Sequence, residues 1–354
     1  IMSVYQIPEE YYFRIHHCRP RFKGNVENVL IYMATEITRI GDAPKDEFNN
    51  SLNNAIKCFP GNSTLALKTV NNWRTEISSL FGLFYEDENH YNHAMLRAKE
   101  LAEHNDLVEF FKLFLYYFQY PGAHIKSKDV LEQIEAGVHF KPTQYILKLL
   151  KTAEENTGKR CGITKEEACY CIFNDLRCTR DHEDVAITWQ RIQRNRDLEI
   201  EYVADGDVTR YAGDILDYMQ HANLLVSYNN KEFFINHSEN EAILKYINST
   251  EWFSEYDTMI ANRSGTIKAV NDCRCDWFRY VNREAEETDF ATDITSFFAV
   301  ESETPTEPES QMQLFAAYME KLKSLESLKT KDIGDIGESL VHGHECQRLK
   351  IGGR

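Results

Sequence analysis

The sequence predicts a mainly α protein with short β-hairpins, and three observations predict it. Apolar residues recur at spacings of three and four in one segment after another from Asn25 onward, the mark of amphipathic helices. Extended segments occur as a short pair around Asn229-Asn230, which reads as a hairpin. Apolar residues make up 42% and charged residues 27% of the 354, the composition of a soluble globular protein large enough for two or three domains. No run of about 18 apolar residues exists, which excludes a membrane-spanning helix. The first residues, IMSVYQIPEEYYF, lack the basic start and apolar core of a secretory signal, and Ile1 ahead of Met2 reads as an addition.

The elements follow in order. Residues 1–24 show no helical period and read as an extended arm. Val26, Val29, Leu30, Met33 and Ile37 mark a first helix, and a second runs from Asp46 to Cys58 and stops at Pro60-Gly61-Asn62-Ser63. The next helix carries Val70, Trp73, Ile77, Leu80, Phe81 and Phe84 on one face. Lys68, Asn71, Asn72, Thr75 and Ser79 lie on the other, with Arg74 at the flank. Asn pairs with adenine edges and Arg with guanine edges through two hydrogen bonds, so a face of this kind suits a recognition helix; an ordinary solvated face has the same pattern. Glu86 to His93 reads as a polar patch, followed by helices near Leu96–His104 and Leu107–Phe118, the second dense in core aromatics.

A second unit begins near Pro142, a favourable first helical residue. Thr164 and Glu167 form a capping box for a helix from Lys165 to about Asn174. Helices from Glu183 to Arg196 and from Val208 to Ala222 follow, then the hairpin with strands at 224–228 and 232–236. A helix followed by a two-stranded hairpin is the end of a winged helix. Thr209 and Arg210 open its helix, and Asn229, Asn230 and Lys231 form its tip. Ile243 to Tyr256 reads as helical packing, and Thr258 to Arg283 as short strands or turns with basic residues. Ser302 to Ser310 is a linker by composition, and a new amphipathic helix starts near Gln311.

Charge is unevenly spread. The net charge is −16, and residues 284–310 hold nine acidic residues and no Lys or Arg. Arg14, Arg19, Arg21 and Lys23 lie in a stretch with two histidines and no acid. An acidic body with a basic arm is compatible with selective nucleic-acid binding, because bulk affinity rises with every phosphate neutralised.

Chemistry-bearing motifs are few. Nine cysteines without a secretory signal read as the reduced thiols of a cytoplasmic protein. Cys169 with Cys171 and Cys273 with Cys275 lack zinc-ribbon spacing, and His16, His17 and Cys18 cluster without a fourth ligand in view, so no metal site is expected in this chain. Walker A, GxGxxG and GxSxG loops are absent from the sequence. Glu338 sits on the first turn of a final helix and is a candidate acid of a metal-dependent nuclease, which needs two or three carboxylates on one cation. An ordinary exposed helix explains it equally.

The block Thr69-Val70-Asn71-Asn72-Trp73-Arg74-Thr75-Glu76-Ile77 with Leu80-Phe81-Gly82-Leu83-Phe84-Tyr85-Glu86-Asp87 resembles the recognition domains of BpuJI-like type II restriction endonucleases. So do Phe110-Phe111-Lys112, Phe118-Gln119-Tyr120-Pro121, Tyr145-Ile146-Leu147 and the arm from Pro8 to Lys23. The resemblance spans roughly residues 8 to 250. It implies two winged-helix (helix-turn-helix) subdomains and an arm that grip one asymmetric site on double-stranded DNA. It also implies a C-terminal PD-(D/E)xK-type nuclease, of which the chain holds the first helix. The implied organisation is an arm at 1–24, winged-helix subdomains at 25–136 and 137–250, an accessory segment at 251–300, a linker at 301–312 and the nuclease start at 313–354.

Carried over residue by residue, the resemblance assigns DNA contacts to Arg14, Arg19, Arg21 and Lys23 of the arm, Asn71, Asn72, Arg74 and Thr75 of the first reading helix, and Thr209 and Arg210 of the second unit; Lys68 on the polar face of the first helix and Lys231 at the hairpin tip join them as candidate DNA contacts by position. Trp73 stands where the family has histidine, so the family's base preference is not carried over. Glu338 becomes a nuclease acid. The full-length protein is then an Mg-dependent endonuclease of a restriction–modification system, dimeric through its nuclease domain. The chain itself is expected to be monomeric, to need no cofactor, and to bind DNA without cutting it. A tandem winged-helix transcription regulator and a helical protein-interaction scaffold are the rival readings.

Overall fold

The computed structural model describes residues 4–16, 25–203, 206–228 and 231–283. Arg19, Arg21, Lys23, the Asn229-Asn230 tip, the acidic stretch 284–310 and Glu338 lie outside them. Within the described residues the chain is mainly helical with two small antiparallel sheets.

The first sheet is built on α1 (Val26–Ile40), β1 (Ala43–Pro44), α2 (Lys45–Cys58), α3 (Leu67–Phe81), β2 (Phe84–Glu86) and β3 (Tyr91–Ala94). The strands lie in the order β1-β3-β2, with Ala43 opposite Asn92 and Tyr85 opposite His93. The α1 periodicity has the expected result: Val29, Leu30, Met33 and Ile37 are buried. Helix α3 ends at Gly82, whose φ of 59° is left-handed and costs a residue without a Cβ nothing. The β2–β3 hairpin occupies the segment that reads as a polar patch. Its strand residues Tyr91, Asn92 and His93 give no apolar alternation. Local hydrogen bonds set the turn: Asp87 accepts from the Asn89 and Tyr91 N–H groups, and its own N–H donates to the Tyr91 carbonyl.

Three helices follow: α4 (Leu96–His104), α5 (Leu107–Tyr117) and α6 (Ser127–Glu135). Asp106 caps α5 by accepting from the Glu109 N–H at 2.9 Å. Then the first order returns: α7 (Pro142–Thr157), β4 (Gly162–Thr164), α8 (Lys165–Ala168) with the expected capping box, and one π-helical turn at Cys169–Phe173. The helices α9 (Leu176–Thr179) and α10 (Val185–Asp197) are inserted before α11 (Gly206–His221), β5 (Leu225–Val226) and β6 (Glu232–Ile235). The second sheet runs β4-β6-β5. In both sheets the strand that follows the first helix pairs with the last strand of the hairpin.

After α12 (Asn240–Asn248) come α13 (Asp257–Asn262), α14 (Ile267–Asp272) and α15 (Arg274–Val281). Here the structure corrects the expectation of short strands or turns. Three helices of six to eight residues are too short to show a period, yet α15 buries Trp277, Phe278, Tyr280 and Val281. They pack back onto the first sheet unit. Asn282 donates to the Gly82 carbonyl at 2.9 Å, and the buried Arg97 of α4 donates to the carbonyls of Phe81 and Val281. One core therefore runs through both sheet units.

Candidate nucleic-acid interface

The described residues singled out as DNA contacts fall on the arm, α3, α11 and, for Lys231, the second hairpin. On α3, Lys68 and Thr75 are exposed and Asn71, Asn72 and Arg74 are half-buried. Thr75 donates its hydroxyl to the Asn71 carbonyl one turn back, at 2.8 Å. Arg74 donates to Asn53 Oδ1 of α2 at 2.9 Å, a neutral partner, and burial holds the pKa of its guanidinium below the ordinary arginine value. Ser79 does not belong to the exposed face. It is buried, and Arg274 of α15 donates to its hydroxyl at 3.3 Å. The polar stripe of α3 is thus open at its N-terminal half and covered by the 251–283 segment at its C-terminal half. Composition gave no sign of this, because Ser79 and Arg274 are 195 residues apart.

Arg74 also lines an open cleft of about 880 Å³ between α2, α3, the first hairpin and α14–α15. Its walls mix Lys45, Arg74 and Arg274 with Glu86, Asp87, Glu88 and Asp272. Beside it His93 stands between two carboxylates, with Nε2 3.0 Å from Asp87 and Nδ1 3.1 Å from Asp42. The hydrogen bond to Asp87 raises the His93 pKa above its ordinary 6.5 against the opposing effect of burial, and Asp42 adds to the rise. A histidine raised on folding contributes stability that is complete below its unfolded pKa and lost as pH passes its folded value. Raising the pH from below 6.5 to above that folded value is therefore expected to loosen the first hairpin. Amide exchange at Tyr91 to Ala94 measures this, and His93→Asn should flatten the profile. An unchanged profile in the variant would remove His93 as the cause.

The arm is an ordered strip against the second unit. Tyr5 donates its N–H to the Glu201 carbonyl at 2.8 Å, Phe13 to the Asn174 carbonyl at 3.1 Å, and Tyr12 bridges Asp175. The strip brings Arg14 to α11, where its guanidinium carbon lies 5.6 Å from the centre of the Tyr211 ring. Arg14 Nε is buried and has no hydrogen-bond acceptor among the described residues. Thr209 is half-buried and Arg210 exposed on the first turn of α11, and Lys231 is exposed beside the second hairpin. Arm and second helix thus meet, which neither segment's pattern predicts.

On α10, Arg191 and Arg196 serve the fold. Arg191 pairs with Glu183 at 2.5 Å and reaches Asp175, and Arg196 holds Glu167 at 2.6 Å.

A family model, restriction endonuclease BpuJI N-terminal, matches residues 5–278. The chain belongs to this family. Among solved structures, the chain is similar to the BpuJ1 endonuclease binding domain in complex with pyrene- and phenanthrene-modified DNA. The match has a TM-score of 0.68 and 24% identity over 78% of this chain and 100% of that one, a likeness of fold. No curated protein matches the chain. No helix among the described residues of this BpuJI-family chain is long and apolar enough to cross a membrane.

Proposed function

We propose that the chain is the sequence-reading module of a type II restriction endonuclease and binds double-stranded DNA through two winged helices and the arm. The observation that carries this is the repeated order of the two sheet units in a chain of the BpuJI N-terminal family. Each unit runs helix, strand, helices, then a helix leading directly into a hairpin, which is the order of a winged helix. The helices ahead of the hairpins, α3 and α11, become the reading helices. Lys68, Asn71, Asn72, Arg74 and Thr75 face base edges and phosphates from the first. Thr209, Arg210 and the arm's Arg14 do so from the second, with Lys231 at a wing.

Arg74 and Arg14 support the reading because each is a partly buried cation whose contacts among the described residues are neutral, an amide oxygen for one and an aromatic ring for the other. Base or phosphate acceptors complete such groups. The module binds as a monomer without a cofactor. In the full-length enzyme a nuclease domain would supply Mg-dependent hydrolysis, with Glu338 as one acid; Glu338 lies outside the described residues.

Selection from a random duplex pool at about 0.15 M salt tests the reading. One enriched asymmetric motif is expected; binding without sequence preference would overturn it. With the motif in hand, Arg74→Ala is expected to cost about 1–3 kcal/mol on the selected site and to relax preference at one base pair. Cognate affinity unchanged in Arg74→Ala would remove Arg74 from the reading set.

A further inference from the structure

The arm does not end its ordered path at Arg14. Two residues on, His16 reaches the first turns of α6, where Asp129 and Glu132 stand one helical turn apart. One ligand atom from each of the three side chains lies within 4.8 Å of the other two. All three residues are partly accessible, so an ion can enter. The backbone at His16 is fixed: Gln133, fully buried at the next position of α6, donates to the His16 carbonyl at 3.0 Å. The other amide atom of Gln133, Oε1, is buried without a hydrogen-bond donor among the described residues. The competing interaction is weak. Lys128 approaches Glu132 at 3.7 Å along the exposed side of the same helix, a pair of little worth.

We propose that His16, Asp129 and Glu132 bind one divalent transition-metal ion, which staples the arm to α6. An imidazole with two carboxylates is a donor set for zinc, manganese or cobalt, and a three-residue set leaves the remaining positions to water. The sequence shows His16 beside His17 and Cys18, but the two acids come from more than a hundred residues away and only the fold supplies them. The ion joins two charged ligands on a helix to a neutral one on the arm, so it fixes the exit of the arm two residues past Arg14. The basic residues Arg19, Arg21 and Lys23 follow from that point.

The test is calorimetric titration of the chelator-stripped full chain with Co²⁺, alongside His16→Ala, Asp129→Asn and Glu132→Gln. The wild type is expected to take up one equivalent. Each variant should lose that uptake by about 100-fold or more, since loss of a mere outer-shell partner already costs about 10- to 100-fold. Far-ultraviolet circular dichroism checks that the variants remain folded; Glu132→Gln, at a partly accessible position, keeps side-chain size and serves as the control for folding. Uptake equal in wild type and all three variants would place the metal on the thiols elsewhere and overturn the proposal, as would no uptake by the wild type. A DNA-selection result, positive or negative, leaves this titration unaffected, so failure of the staple and failure of the DNA reading are told apart.

Discussion

Phe81→Ala is expected to destabilise the protein by about 3–5 kcal/mol, the range for deleting a fully buried phenyl ring. Phe81 has no exposed surface and is the last residue of α3. Its ring centre lies 5.2 Å from Phe114 and 6.0 Å from Phe110 of α5, and 5.7 Å from Tyr218 of α11. The ring therefore sits where the two proposed reading helices reach a common aromatic cluster, and its loss removes packing from both. Phe111 stacks on Tyr218 at 5.4 Å and on His221 at 5.1 Å, so the cluster extends along α11 and does not collapse easily into the gap. Close packing on several rigid rings is the condition under which a cavity is kept and the cost is high. Denaturant titration of Phe81→Ala against Phe81→Leu separates cavity from shape, since Leu retains most of the volume and should cost clearly less. A loss below about 1 kcal/mol in Phe81→Ala would show that the cluster relaxes and that the two units are joined elsewhere.

What sequence could and could not reveal follows from the range of each interaction. Helices of about fifteen residues, such as α1 and α3, carry several turns of apolar recurrence, so their existence and inner faces were legible. The second hairpin was legible because two short apolar segments flank Asn229-Asn230, although Leu225 and not Val226 is the buried residue of its first strand. The first hairpin was not, because hydrogen bonds of Asp87 set it while its strands are polar. Nor was the place of Ser79, which looks like one more member of a polar stripe until Arg274 arrives from α15. The candidate contacts on α3 could be listed from periodicity, yet the neighbourhood of Arg14 with Tyr211 depends on how the arm crosses the second unit. Local pattern carries helix faces; contacts between residues 100 or 200 positions apart are properties of the packed chain.

The crossing of the arm rests in part on a buried charge, and removing it is the second large effect to expect. Asp175 is fully buried. It caps α9 by accepting from the Arg177 N–H at 3.0 Å, takes the Arg177 side chain through both carboxylate oxygens, and lies 3.4 Å from Arg191. Arg177 in turn donates to the Tyr5 hydroxyl at 3.3 Å and faces the Tyr11 ring at 5.2 Å, while the Asp175 backbone bridges Tyr12. Taking the charge from a buried pair strands its partners, at a cost of about 3–5 kcal/mol. Arg191 keeps Glu183 and Arg177 is partly solvated, so Asp175→Asn is expected at about 3 kcal/mol, the lower end of that range. The more telling consequence is local. With Arg177 released, Tyr5 and Tyr11 lose their shared anchor, and the strip that carries Arg14 to α11 should open before the core does. Limited proteolysis within residues 5–16 is expected to accelerate in Asp175→Asn, whereas Phe81→Ala, at equal or greater cost, should leave that rate close to wild type under native conditions. Equal acceleration in both variants would mean that the arm opens only with global unfolding, and Asp175 would then be a support of the second unit and not of the arm.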